Sequence, residues 1–146
     1  MKKATGFTLL ACVGLLALAC TERTGESEVD ASVLSFRLLE PGEVTALAIA
    51  GKHPVEMERR VDGWFLKNGQ RADDNVVRKV LDGIQKIETS TFVTDQENEF
   101  AQFNVDAAKG TGVVAYAGQK VVADFVIGSA GASGSNIRSN GKVYAM

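Results

Sequence analysis

Cysteine, histidine and proline are all scarce in this chain. Its 146 residues hold two cysteines, one histidine and two prolines. Cys12 falls inside an apolar leader, so after processing Cys20 stands alone and cannot form an intramolecular disulfide. The fold must then hold without covalent staples. The lone histidine, His53, directly precedes Pro54 at an expected turn, which leaves a hydrolase without an evident general base. Basic residues are scattered, with no aromatic-interleaved basic stripe, so a nucleic-acid surface is excluded. Loss of Lys2 and Lys3 leaves 14 basic residues against 18 acidic ones, a net charge of about minus four. The apolar stretch at the N-terminus is also short. Phe7 to Ala19 spans thirteen residues, against the roughly 20 that a helix needs to cross a hydrocarbon core.

What the N-terminus does have is the form of a signal peptide. Met1-Lys2-Lys3 supplies positive charge, the apolar run follows, and the chain turns polar at Thr21. Its apolar residues cover every face, which does not suit the first helix of a small domain. Ala17-Leu18-Ala19 fits the small-x-small pattern of ordinary cleavage, and Ala17-Leu18-Ala19-Cys20 also fits a lipobox. A cysteine directly after the cut decides for the lipobox, because its thiol must take a diacylglyceryl group. Cleavage between Ala19 and Cys20 then makes Cys20 a lipid anchor. Two or three acyl chains, at about 0.8 kcal/mol per buried methylene, make such attachment durable where one would not. Thr21 is not the aspartate that retains typical lipoproteins at the inner membrane, so the expected site is the periplasmic face of the outer membrane. The expected organisation is a signal peptide over 1–19, a lipidated N-terminus and flexible tether over 20–32, and one domain over 33–146.

Within the domain, Val44 to Ile49 is apolar enough for a central strand. Val55, Met57 and Val61 alternate with Glu56, Glu58 and Arg60, the period of a half-exposed strand. Asp62-Gly63 reads as a tight hairpin turn leading into Trp64-Phe65-Leu66, and Asn68-Gly69 ends that strand. Asp73 and Asp74 then precede Val76, Val77, Val80, Leu81, Ile84 and Ile87, which fall on one face of a helix. The aspartates are sufficiently explained as caps for the first turn. Gly83, at the edge of the buried arc, predicts a close approach of helix to sheet. A strand follows near Thr91 to Thr94. A second hairpin pairs Val113 to Ala117 with Lys120 to Ile127 across Gly118-Gln119, with Val121, Ala123, Phe125 and Ile127 on one face. The pattern predicts an α+β fold: a mostly antiparallel sheet built from hairpins, with one main amphipathic helix and one short helix packed on it.

Two segments invite a sharper chemical reading. Asp95, Glu97, Glu99 and Asp106 are spaced somewhat like a calcium loop, but Phe100 occupies the position that needs glycine and Asp106 replaces the closing Glu. A short helix over Glu97 to Gln102, turning Phe100 and Phe103 inward, is the expectation, with no metal. The Gly/Ser-rich loop 128–136 lacks the Lys-Ser or Lys-Thr of a phosphate loop, opens no helix, and has Ser135 where a nucleophile elbow around Ser133 would need glycine.

Taken in order, the motifs resemble the bacterial family called domain of unknown function 4340. Asp62, Gly63, Trp64 and Leu66, then Ala72 and Asp73, Ile127 and Gly128, and finally Arg138, Gly141, Val143 and Tyr144 carry the resemblance. Phe103-Asn104-Val105-Asp106 replaces the family's Tyr-Gly-Leu-Asp, with Asn the next-best residue for a left-handed turn. The resemblance implies an envelope-facing domain, often in lipoproteins and in some members linked to transport and gliding machinery. It implies no catalytic residues and no cofactor. The expected function is a lipid-anchored, non-catalytic binding or scaffold module, with the membrane and an envelope protein as partners. The alternative is a small-ligand sensor or hydrolase using loop 128–136. For either, the candidate contacts are Arg138, Ser133, Ser135 and Tyr144, with Arg138 as an anion contact.

Overall fold

The computed structural model describes residues 34–37, 39–130 and 134–146. The signal peptide, the cleavage site, Cys20, the whole tether and Ser133 lie outside the described residues. Eight strands form one antiparallel sheet: β1 (Ala46–Ala50), β2 (Val55–Arg60), β3 (Gly63–Leu66), β4 (Thr91–Thr94), β5 (Thr111–Ala117), β6 (Lys120–Ile127), β7 (Asn136–Ser139) and β8 (Lys142–Ala145). Their order is β3-β2-β1-β5-β6-β7-β8-β4. Helix α1 (Asp74–Gln85) leads from the β3 edge towards the β4 edge. A mostly antiparallel sheet with one principal helix therefore stands, and β1 is an interior strand as its apolar run predicts.

The second expected helix is smaller than its acidic, aromatic pattern suggests. Only Glu97–Glu99 form a 3-10 turn, and the chain then continues through further turns to Asn104. Asn104 takes a φ of +58°, the left-handed conformation that asparagine tolerates better than most residues. Phe100 is buried as expected, and Phe103 packs at the edge of the same cluster.

Both faces of the sheet carry apolar cover, but not equally. On one face, α1 lays Val77, Leu81 and Ile84 against Leu47, Trp64, Ala115, Ala123, Phe125, Ile137 and Tyr144. Phe36, from the segment before β1, stacks on Phe125 with ring centroids 5.0 Å apart. On the other face, the 95–110 segment covers β6 to β8 with Phe100 and Val105 over Val143 and Val126. Among the described residues, the side chains of β1, β2 and β5 on that second face have no such cover.

Several local expectations shift. Arg60 pairs with Gly63, so the hairpin loop is Val61-Asp62 and not Asp62-Gly63. Val61, expected to alternate inward, is fully exposed in that loop. Gly63, at φ +127°, belongs to the strand, and a Cβ there would stand 2.8 Å from the Asp74 carboxylate. Val76 is exposed because it lies in the first turn, beyond the edge of the sheet-facing stripe, and Ile87 follows the end of the helix. Gly83 does not mark a close approach: a Cβ built on it meets nothing within 4 Å. In β6 the pairing register shifts opposite Ala115/Tyr116, so Val121 pairs with Tyr116 and Ala123 with Ala115. The extra residue breaks the expected two-residue alternation. Val121 is therefore exposed while Val122 packs on the main core.

Candidate functional site

The two aspartates before α1 have the structural roles expected of them. The Asp73 side chain accepts from the N–H groups of Asn75 at 2.8 Å and Val76 at 3.3 Å, capping the helix. Asp74 ties the helix start to the sheet edge: its Oδ1 accepts from the Trp64 N–H at 2.9 Å and its Oδ2 from Arg71 at 3.2 Å. The Trp64 N–H and then Arg71 favour the ionised carboxylate, holding it below the usual carboxylate range. Both carboxylates are engaged in hydrogen bonds that hold the helix start.

The residues singled out near the C-terminus do not form one site. β7 and β8 are joined through Asn140 and Gly141, at φ +49° and +73°, the geometry of a two-residue hairpin turn. In this register Arg138 pairs with Val143, and Ile137 with Tyr144. Paired residues share a face and neighbours alternate, so Arg138 and Tyr144 point to opposite sides. Tyr144 is buried on the helix side, with Phe92 edge-on at 6.1 Å. Ser135 uses its carbonyl to accept from the Met146 N–H at 3.0 Å, and Ser133 lies outside the described residues. The hairpin turn carried this information in the sequence: two residues between Ser139 and Lys142 fix the parity of Arg138 and Tyr144.

Arg138 has different neighbours from those expected. Its guanidinium lies over the Phe100 ring, 4.8 Å from the centroid. It lines a cavity of about 190 Å³ together with Asp106, Ala107, Gly110, Ala50, Gly51, Gly112 and Val126. In the sequence Asp106 stands out in a calcium-like spacing and in the segment matching Tyr-Gly-Leu-Asp, and no periodicity points it at Arg138. Among the described residues, no three His, Cys, Asp or Glu side chains are grouped to hold a metal ion.

A second feature lies on the uncovered half of the sheet. Ala46 pairs with Glu58 and Tyr116, and Ala48 with Glu56 and Val114, so these side chains share the face opposite α1. All of these but Val114 border an open groove of about 460 Å³. Lys67 donates to Glu56 at 2.7 Å and Arg60 to Glu58 at 2.6 Å, so the rim charges largely balance locally. The hydrogen bond to Glu56, with the charge of that carboxylate, raises the Lys67 pKa above the ordinary lysine value. The groove is open, with a floor of small apolar side chains beside one tyrosine and a self-paired charged rim.

No protein-family model matches the chain, and neither a curated protein nor a solved structure does.

Proposed function

We propose that this chain is a lipid-anchored cell-envelope lipoprotein whose domain serves as a non-catalytic binding or scaffold module. The lipobox ending at Cys20 supports the anchor, and Thr21 supports the periplasmic face of the outer membrane as its site. No described helix is long and apolar enough to cross a membrane. The binding role is carried by the uncovered face of β2, β1 and β5: Ala46, Ala48, Val114 and Tyr116 are only partly buried, beside two self-paired ionic couples. A partner surface can cover the alanine floor and the tyrosine without having to neutralise unpaired charge there. The resemblance to domain of unknown function 4340 extends the proposal to an accessory of transport or motility machinery. The sensor or hydrolase alternative is weaker, because Arg138 and Tyr144 lie on opposite faces of the sheet.

The test is site-specific photocrosslinking in native membranes. A photoreactive residue at Ala48 or Tyr116 is expected to capture one stoichiometric envelope protein, and one at Lys79, on the solvent side of α1, is not. Cys20→Ser is expected to release the chain from the membrane and reduce the yield. Equal capture from Lys79, or none from the sheet face in a membrane-attached wild type, would overturn this assignment of the docking face.

A further inference from the structure

The cavity at Arg138 adjoins the docking face, sharing β1 and β5 with it through Ala50 and Gly112, but has a chemistry of its own. Arg138 is half-buried, and its guanidinium forms no hydrogen bond or ion pair with the described residues, only the stack on Phe100. Asp106 is also half-buried. Its Oδ1 is shielded from solvent and accepts no hydrogen bond from the described residues. Both line the same cavity, yet no ion pair joins them among the four in the described structure. A half-buried charge without a partner is costly, and a dipolar molecule in a cavity lined by both groups can answer both.

The walls set the size. Gly51, Gly110 and Gly112 line the cavity, and Gly110 has no room for a side chain: its Cβ would stand 2.3 Å from the Val126 side chain and 2.9 Å from the Asp106 carbonyl oxygen. A volume of about 190 Å³ suits a small amino acid or the terminal residue of a peptide. The guanidinium can take a carboxylate through two parallel N–H groups, while Phe100 holds its plane in position. Asp106 then faces the nitrogen of the same ligand.

The geometry points to a binding site for a small amino carboxylate, with Arg138 on the carboxylate and Asp106 on the nitrogen bound to the adjacent carbon. The ligand is either a free amino acid, presenting an ammonium, or the C-terminal residue of a peptide, presenting an amide N–H.

Isothermal titration of the purified lipidated chain tests this with glycine, L-alanine and N-acetyl-L-alanine, and with acetate and ethylamine as half-ligands. At least one of the three amino carboxylates is expected to bind saturably, at least tenfold more tightly than either half-ligand. L-alanine binding without N-acetyl-L-alanine identifies free amino acids, and the reverse identifies a peptide C-terminus. Arg138→Gln and Asp106→Asn should each weaken binding at least tenfold with an unchanged circular dichroism spectrum. Gly112→Ala supplies an independent check should either fail to fold. Its added methyl stands at an ordinary 3.5 Å from Ala50 and narrows the same wall, so affinity should fall while stability holds. Absence of saturable binding by all three probes, or equal binding in wild type and the folded variants, overturns the proposal and leaves a cavity that holds water only.

Discussion

Replacing Gly83 with alanine isolates one packing question in α1. The glycine lies in the helix at an exposed position, and its missing Cβ would meet nothing within 4 Å. Alanine therefore adds helix propensity without displacing a neighbour. The gain in a helix interior is about 0.8–1.0 kcal/mol. Gly83 is two residues from the end at Gln85, where the Lys86 N–H is shared between the Asp82 and Gly83 carbonyls at 3.3 and 3.2 Å. This end position reduces the expected gain to about 0.5–1 kcal/mol, part of it from a less flexible unfolded chain. For a domain of this size, 1 kcal/mol corresponds to roughly 4 °C in Tm. Urea unfolding of wild type and Gly83→Ala, followed by circular dichroism, should give a higher midpoint at an unchanged slope. A midpoint below that of wild type would refute the reasoning, since it would mean that the methyl meets a wall and that helix and sheet are in close contact here.

Three further outcomes are expected. Phe125→Ala removes a ring that is 2% exposed at the centre of the main core and should cost about 3–5 kcal/mol by the same urea assay, a large share of a typical 5–15 kcal/mol total. Asp73→Ala removes both capping hydrogen bonds and should cost about 1 kcal/mol, whereas Asp73→Asn, which keeps an acceptor oxygen, should cost less. Because the folded-state pKa of Asp74 lies below its unfolded value, its contribution is complete above about pH 4 and is lost as pH falls through the folded value. The stability difference between wild type and Asp74→Asn should accordingly shrink in urea midpoints measured at pH 7, 4 and 3, and a constant difference would contradict this linkage.

Local chemistry accounts for what was legible from the sequence. The spacing of Val77, Leu81 and Ile84 specifies a helix face because the period belongs to the helix itself, and Asp73 specifies its start because a carboxylate can satisfy N–H groups two and three residues on. The pair Asn140-Gly141 carries a hairpin signal too, but grouping Arg138 with Tyr144 overlooked it, and the two face opposite sides. The β6 irregularity was not legible. Alternation predicts Val121 inward, and only the pairing with β5 inserts the extra residue. Gly83 misled for a related reason: a glycine on a helix marks a cost, but nothing in the sequence states whether a neighbour stands opposite it.

The sequence by itself determined the main helix with its cap, most of the strands and the Gly118-Gln119 turn, together with the N-terminal motif on which the anchoring proposal rests. Only the tertiary structure decided that β4 joins β8 across some fifty intervening residues, that the 95–110 segment covers one half of a sheet face and leaves the other bare, and that Asp106 shares a cavity with Arg138. The division follows from range. Hydrogen bonds within a turn or a helix involve residues a few positions apart, so neighbouring residue types dictate them. Strand order and cavity walls depend on which distant apolar surfaces bury each other best, a choice made by the whole chain at once.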